Sequence, residues 1–229
     1  MGQRCQRGWA FGVIIWSIMH SKEKPEGNGI RLIDKLITEA EARGLVDPNL
    51  QVDLATAFRL VRDMAYQRAT DRRPDTLIRE WRGTCSGKHY LLKALYEELG
   101  YKSQVIACTS IDAIDEDKVP EEIHDLWAAA GRRFVDVHNY LVLDSPEGEM
   151  VVDATWPVGN GKYGLKVNEE FVLGQDQQIA CTPIQSWVVP DDRDPQSFKE
   201  QLLLENFTQQ ELAFRNAFII ALSEWLSTK

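Results

Sequence analysis

Apolar residues recur at helical spacing through the first part of the chain. Between positions 30 and 42 they fall every three or four residues, the spacing of one helix face, and Gly44 follows as a C-cap. A second helical pattern covers 53–70 and stops at a polar run. A third covers 83–100, where a leucine stripe ends at Gly100. The sequence therefore predicts helices over these segments.

Beyond Gly100 the pattern changes to short runs rich in β-branched residues. Strands are predicted at 102–110, 133–144 and 149–156. The segment 111–131 is acidic, and it predicts a short helix at 121–130 that acts either as a lid or as a decoration of the sheet. The carboxyl end returns to helical spacing, and its last helix begins with a capping box of Thr208 and Glu211. Helices, then strands, then helices are typical of the α+β class.

The length of 229 residues suits one domain, and no internal repeat or composition shift marks a boundary. We predict a single domain over 30–229, preceded by an apolar segment and linker over 1–29. The apolar run at 9–19 follows two arginines, as in signal peptides, but no cleavage site follows it. It is also shorter than the roughly 20 residues that span a bilayer. The alternatives are packing on the domain, export or anchoring, and a true start at Met19.

The composition argues against several classes of function. With 26 basic and 35 acidic residues the formal net charge is −9, whereas a nucleic-acid footprint needs a basic patch. The four cysteines are scattered without a CxxC pair, which predicts neither a disulfide framework nor a metal site. The sequence contains no phosphate-binding glycine loop, so we expect no cofactor. We expect a cytoplasmic protein that binds neither nucleic acid nor a membrane.

The short connection SPEG between the second and third predicted strands sets their register. Pairing Asp144 with Glu149 across this turn places His138 opposite Thr155. Asp153 then lies on the same face as a diagonal neighbour of His138, so the two side chains can meet. The opposite face is assigned to the core, with Asn139 as its polar exception, and consists of Val135, Val137, Leu141, Leu143, Met150, Val152, Ala154 and Trp156.

These positions suit a thiol nucleophile. Cys85 begins the third helix, where the positive end of the helix dipole lowers a thiol pKa and favours the thiolate. An imidazole at His138 would accept and later return the thiol proton, and a carboxylate at Asp153 would orient that imidazole. First-turn N–H groups would stabilise an oxyanion. The small Gly83 and Gly87 are expected to leave access for an acyl group.

With these residues the chain resembles the transglutaminase-like superfamily over roughly 81–157. Its cysteine helix and following strand are similar to GTCSGKHYLLKALYEELGYKSQVI, its histidine strand to DVHNYLVL and its aspartate strand to VVDATWP. The resemblance implies a papain-like α+β core with a nucleophile helix on an antiparallel sheet. It also implies Cys85 as nucleophile, His138 as general base and acid, and Asp153 as orienting carboxylate. Asn139 departs from the aromatic residue that many members carry after the histidine.

The leading function is therefore cleavage or transfer of an acyl group from a peptide, protein or small amide through a thioester. We expect hydrolysis rather than transamidation, because water is always present as an acceptor. One alternative is a catalytically silent module that binds a partner protein. Another is an arylamine N-acetyltransferase-like enzyme, indicated by the R-G-x-C arrangement at 82–85. The acidic run at 112–125 is either a solvated face or a selector for basic substrates.

Four further residues are candidates for the site. Trp81 and Arg82 precede the nucleophile and are expected either to bind substrate or to serve packing. Tyr140 shares the face of His138 and is a further substrate-binding candidate. His89 follows Cys85 by one helical turn, so the two would share a helix face. A metal pair between them lacks further ligands in the sequence, and a surface-facing or hydrogen-bonded His89 is the simpler interpretation.

Overall fold

The structure is a computed structural model that describes residues 30–47, 50–112 and 119–229. Its α-helices are Leu32–Ala42 (α1), Leu54–Arg62 (α2), Pro74–Glu80 (α3), Cys85–Glu98 (α4), His124–Ala129 (α5), Pro195–Asn206 (α6) and Gln209–Ser227 (α7). Its strands are Ser103–Asp112 (β1), Phe134–Ser145 (β2), Gly148–Val152 (β3) and Pro183–Val188 (β4). Short 3₁₀ helices lie at Glu121–Ile123 and Val158–Tyr163. The apolar segment predicted over 1–29 lies outside the described residues, so the domain division stays a prediction.

Within the described part of the chain, the strands form an antiparallel sheet in the order β3-β2-β1-β4. Helix α4 packs across β1 and β2, and α1, α2 and α3 close the same core on its far side. Leu91 and Leu95 of α4 and Leu141 of β2 are completely buried there. Gly100 has a positive φ of 88°, which ends α4 where the sequence predicts. Helices packed on an antiparallel sheet make this an α+β protein.

The ladder between β2 and β3 has the predicted register, and it ends with Leu141 opposite Val152. The predicted core face is buried as far as Ala154. Trp156 contradicts the prediction, because strict alternation stops where the ladder ends. Its half-buried indole instead packs against Tyr66 with the two rings tilted by 40° and their centroids 4.1 Å apart.

The second predicted helix, 53–70, is too long. Helix α2 ends at Arg62, since the chain turns there and Ala65 forms a parallel bridge with Arg82. A further helix, α3, then begins at Pro74, which occupies a first-turn position where no N–H donor is needed. The sequence pattern does not predict α3, because its seven residues span too few turns to show a period.

Strand β4 is a second element that the pattern does not predict. It pairs with β1 at one edge of the sheet, and most of its residues are exposed. A strand solvated on both faces lacks the alternation of buried and exposed positions on which the prediction depends. Pro183 stands at its first position, as an edge strand tolerates.

The acidic insertion packs against the closing helix. The helix predicted at 121–130 is present as a 3₁₀ turn followed by α5. Trp127 of α5 is buried against Phe218 of α7, with ring centroids 5.4 Å apart. Residues 113–118 lie outside the described part of the chain. The described remainder of the insertion, residues 119–131, packs beside the sheet against α7.

The two closing helices complete the core and bring charge into it. The predicted capping box is confirmed, because the Thr208 hydroxyl accepts from the Glu211 N–H and the Glu211 carboxylate accepts from the Thr208 N–H. Helix α6 packs on β1 and β2, and α7 packs on β2. Each helix carries one buried cation on its inner face, Lys199 in α6 and Arg215 in α7.

Candidate active site

Cys85 is the first residue of α4, and 2% of it is exposed. Thr84 before it is extended, with φ −87° and ψ 178°, so the helix begins at the cysteine. The N–H groups of a first helical turn have no intrahelical acceptor and carry the positive end of the helix dipole. The thiol therefore lies where the backbone favours a negative charge.

The glycines around Cys85 allow close packing of two helices. A Cβ atom at Gly87 would lie 2.8 Å from Cδ2 of Leu77, and one at Gly83 would lie 3.1 Å from the same atom. Leu77 belongs to α3 and is buried in the core. The expectation that these glycines leave access for an acyl group is therefore wrong, because their missing side chains make room for α3.

His138 and Asp153 are brought together by the hairpin. His138 lies in β2 and Asp153 directly follows β3, and the His138 Nε2 atom is 2.8 Å from Oδ2 of Asp153. Main-chain N–H groups of Ala180 and Thr155 also donate to this carboxylate, at 2.8 and 3.0 Å. Burial raises the pKa of Asp153, but His138, and after it His89 and Thr155, outweigh this effect and hold the pKa below its ordinary value. The carboxylate is therefore a fixed anion beside the imidazole.

The Cys85 thiol and the His138 ring shift each other's pKa, so the two groups interact electrostatically. Because Asp153 occupies Nε2, Nδ1 is the ring nitrogen that is left for the thiol. Burial raises the pKa of Cys85, but Lys199 and His138 outweigh it and lower the value from 9.0 to about 6. Burial lowers the pKa of His138, yet Asp153 and the thiol raise it well above its ordinary value. A thiolate and an imidazolium are thus favoured together at neutral pH.

Lys199 is a second cation at the thiol. Its Nζ atom lies 3.8 Å from Sγ of Cys85 and 3.2 Å from Oγ of Ser86. The Ser86 hydroxyl in turn donates to Oδ1 of Asn139 at 2.8 Å. The polar exception on the core face of β2 thereby holds the first turn of α4 against the sheet.

Asp136 and Arg215 form a buried ion pair behind Lys199. The Nε atom of Arg215 donates to Oδ1 of Asp136 at 2.7 Å, and Lys199 Nζ lies 3.7 Å from the same oxygen. Burial raises the pKa of Asp136, but the two cations outweigh it and keep the pKa below its ordinary value. The pair fixes α7 to β2 two residues before His138.

The sequence analysis does not identify Lys199 or Arg215, although a signal is present. Lys199 stands three and four positions before Leu202 and Leu203, and Arg215 stands three positions before Phe218. Each cation thus shares a helix face with apolar residues. Burying a charge costs free energy unless the charge is paired. A cation on an apolar helix face therefore indicates a buried ion pair at both positions.

His89 and Lys88 tie the nucleophile helix to the segment that carries Asp153. The His89 Nδ1 atom is 2.7 Å from the Cys85 carbonyl, and Nε2 accepts from the Ala154 N–H at 2.9 Å. The ring is therefore neutral with its proton on Nδ1, and burial lowers its pKa to about 4. The buried Lys88 ammonium donates to the Thr155 carbonyl at 3.0 Å. The surface-facing interpretation of His89 is wrong, and its hydrogen-bonded alternative is confirmed.

The predicted substrate-binding residues lie apart from the thiol. Trp81 closes α3 in a left-handed conformation with φ 52° and is covered by the Arg43 guanidinium. Arg82 pairs with Glu80, with Nη2 2.7 Å from the carboxylate. Both line a shallow depression that does not include Cys85.

Tyr140 does share the face of His138, and its ring lies parallel to the imidazole with centroids 6.4 Å apart. It is buried against Cys108 and Cys181, which form a small apolar cluster as isolated buried thiols would. Tyr140 lines neither the cavity that includes His138 nor the cavity that includes Cys85.

Two adjoining cavities flank the cysteine and histidine. One, of about 310 Å³, is lined by His138 and by the aromatic rings of Tyr66, Trp156, Tyr163 and Trp225, and we call it the aromatic chamber. The other, of about 470 Å³, is lined by Cys85 and by the charged residues Arg68, Arg72, Asp136, Lys199, Glu200 and Arg215, and we call it the cationic chamber. Tyr66 and Asp136 line both chambers, so the two lie next to each other.

The fold and the site thus define an α+β protein with a buried cysteine, histidine and aspartate at the meeting of a helix and an antiparallel sheet. The chain matches no protein-family model, no curated protein and no solved structure. Among the described residues there is no group of three histidine, cysteine or acidic side chains placed to hold a metal ion. No helix in the described ranges is long and apolar enough to cross a membrane.

Proposed function

We propose that the protein is a transglutaminase-like thiol enzyme with a papain-like core, which hydrolyses an amide through a thioester on Cys85. The observation that carries this proposal is the contact of 2.8 Å between His138 Nε2 and Asp153 Oδ2, together with the mutual effect of Cys85 and His138 on each other's pKa. A thiol at a helix N-terminus, an imidazole and an orienting carboxylate supply the three groups that nucleophilic acyl transfer needs.

The reaction begins from the thiolate and the imidazolium. The Cys85 Sγ atom attacks the amide carbon, and the His138 Nδ1 proton passes to the leaving nitrogen as the C–N bond breaks. The products of this step are a thioester and a free amine. Water then adds to the thioester and gives its proton to Nδ1, and the C–S bond breaks to release a carboxylic acid and restore the thiolate.

Other groups in the site support this chemistry. The N–H groups at the start of α4 are suited to donate hydrogen bonds to the oxyanion. Lys199 stabilises the thiolate through its ammonium group 3.8 Å from Sγ. The alternative of an arylamine N-acetyltransferase-like enzyme gains no support, because Arg82 pairs with Glu80 outside the cationic chamber.

The first test is the alkylation rate of Cys85 by iodoacetamide between about pH 5 and pH 9, resolved by peptide mass spectrometry. We expect half-maximal reactivity near pH 6, well below the about 8.5 of a free thiol. His138→Ala should move half-maximal reactivity to higher pH, because His138 is one of the two groups that lower the pKa of Cys85. His124→Ala is the matched control, because His124 lies in α5 and lines neither chamber.

A panel of acyl anilides then tests turnover. Release of the aniline that is lost in Cys85→Ser supports the enzyme, and product analysis with and without added hydroxylamine separates hydrolysis from transfer to an amine. If Cys85 titrates as an ordinary thiol in both histidine variants and in the unmodified protein, the catalytic proposal fails. A silent binding module would then be the better interpretation.

A further inference from the structure

The wall of the cationic chamber carries more positive charge than its own carboxylates balance. Four cations, Arg68, Arg72, Lys199 and Arg215, face two anions, Asp136 and Glu200. The excess of two positive charges occurs in a chain whose formal net charge is −9. An excess of this sign around a nucleophile concentrates anions from solution.

The buried and exposed members of this wall differ in what they do. Lys199 and Arg215 are buried and pair with Asp136, so their charges are used for ion pairing inside the protein. Arg68 and Arg72 are exposed, and neither forms an ion pair within the described ranges. Both line the chamber that contains Cys85, and Nη2 of Arg68 donates to the neutral Oδ1 of Asn216 at 3.3 Å. Their charges are therefore not paired with a carboxylate and can attract an anionic ligand.

The positions of Cys85 and His138 indicate which chamber receives the acyl group of the substrate and which receives the leaving amine. His138 must give a proton to the leaving amine, and it lines the aromatic chamber. Cys85 receives the acyl group, and it lines the cationic chamber. The acyl part of the substrate is therefore the part that meets the arginines.

We propose that the cationic chamber is a subsite for an anionic group, a carboxylate or a phosphate, carried by the acyl part of the substrate and bound by Arg68 and Arg72. Guanidinium groups bind such oxyanions in bidentate fashion, and an uncharged acyl group would leave both arginines unmatched. The inference rests on the proposed thiol enzyme and adds its substrate class. It differs from one of the two alternatives for the acidic run at 112–125, in which that run selects basic substrates.

The test compares the anionic reagent iodoacetate with the neutral reagent iodoacetamide at Cys85. The ratio of the two rates is measured in the unmodified protein and in the Arg68→Gln/Arg72→Gln double variant. His138 is present in both proteins, so its contribution to the ratio cancels. We expect the ratio to fall by about fivefold in the double variant, the order expected for two exposed charge pairs. Arg59→Gln is the matched control, because Arg59 is exposed on α2 and lines neither chamber.

Protection experiments identify the anion. Succinate and inorganic phosphate are added separately at constant ionic strength, and whichever fits the subsite should slow alkylation by iodoacetamide saturably in the control but not in the double variant. A ratio that is the same in all three proteins, without protection by either anion, would overturn the subsite and leave the thiol enzyme intact.

A readout that needs no chemistry separates the two proposals. Succinate or phosphate should raise the Tm of the unmodified protein and of Arg59→Gln, and should raise that of the double variant less. If Cys85 is inert to both reagents but this difference is present, the anion subsite stands and the enzyme fails. If Cys85 is reactive and no Tm difference or protection is seen, the enzyme stands and the subsite fails.

Discussion

Replacement of Lys199 by methionine removes the cation nearest to the candidate nucleophile while keeping a side chain of similar length. Lys199 reaches Cys85 from α6, a helix far along the chain, with Nζ 3.8 Å from Sγ. Among the groups that lower the pKa of Cys85, Lys199 has the largest effect and His138 comes next. Lys199→Met should therefore raise the pKa of the thiol while leaving His138 and Asp153 in contact.

The structure bounds the size of this effect. At the 3.8 Å separation and an effective dielectric constant of about 20, two unit charges interact by about 4 kcal/mol, which is about 3 pH units at about 1.36 kcal/mol each. The lower bound is about one unit, because Asp136 lies 3.7 Å from the same ammonium and already offsets part of its field. A rise of one unit lowers the thiolate fraction at pH 6 by about fivefold.

The pH dependence of Cys85 alkylation by iodoacetamide measures the pKa directly. The unmodified protein should show half-maximal reactivity near pH 6, and Lys199→Met should show it one to three units higher, within the range that the distance allows. Lys199→Arg is the matched control, since it keeps the charge and should keep the low pKa. Peptide mass spectrometry keeps Cys85 separate from Cys108 and Cys181, which are buried thiols.

A pKa near 6 in Lys199→Met, with an unchanged far-ultraviolet spectrum and Tm, would refute the reasoning. It would mean that His138 and the helix terminus are sufficient to hold the thiolate. A high Cys85 pKa in both Lys199→Met and Lys199→Arg would show instead that the low pKa needs the lysine side chain itself and not only its positive charge.

Three further predictions concern stability. Arg215→Met should lower the free energy of unfolding by about 3–5 kcal/mol, because it leaves the buried Asp136 carboxylate without its closest cation. Gly87→Ala should destabilise the protein by about 1–2 kcal/mol, since its Cβ would lie 2.8 Å from Leu77 and the strain exceeds the gain in helix propensity. Below about pH 5 the urea midpoint should fall, because Asp136 and Asp153 have folded pKa values below 3.8 and the unfolded chain therefore binds more protons as the pH falls.

Each of these predictions has its own control. Arg73→Met removes an exposed pair with Asp71 and should cost much less stability than Arg215→Met, so an equal cost for the two changes would contradict the role of burial. Adding Leu77→Val to Gly87→Ala should cost less than the sum of the two changes, and strict additivity would argue against the contact. A urea midpoint that stays constant down to pH 3.5 would show that the two buried carboxylates keep their ordinary pKa values.

The local sequence carries enough information for the hairpin and for the start and end of α4. The four-residue connection and the strict period of two bring His138 and Asp153 to one face, and the observed ladder has that register. The glycine at position 100 ends α4 where a left-handed residue is needed. These features depend on short-range geometry, which a single sequence expresses directly.

The tertiary structure decided the features that depend on distant segments. Lys199 and Arg215 come from helices that are far along the chain from Cys85 and Asp136, and no local pattern says which strand they will face. The roles of Gly83 and Gly87 likewise depended on α3, an element too short to show a period. The sequence by itself therefore determined the hairpin, the nucleophile helix and the candidate triad of Cys85, His138 and Asp153. Only packing decided the charges around that triad, because charge pairing in a core is a property of segments that meet in space and not along the chain.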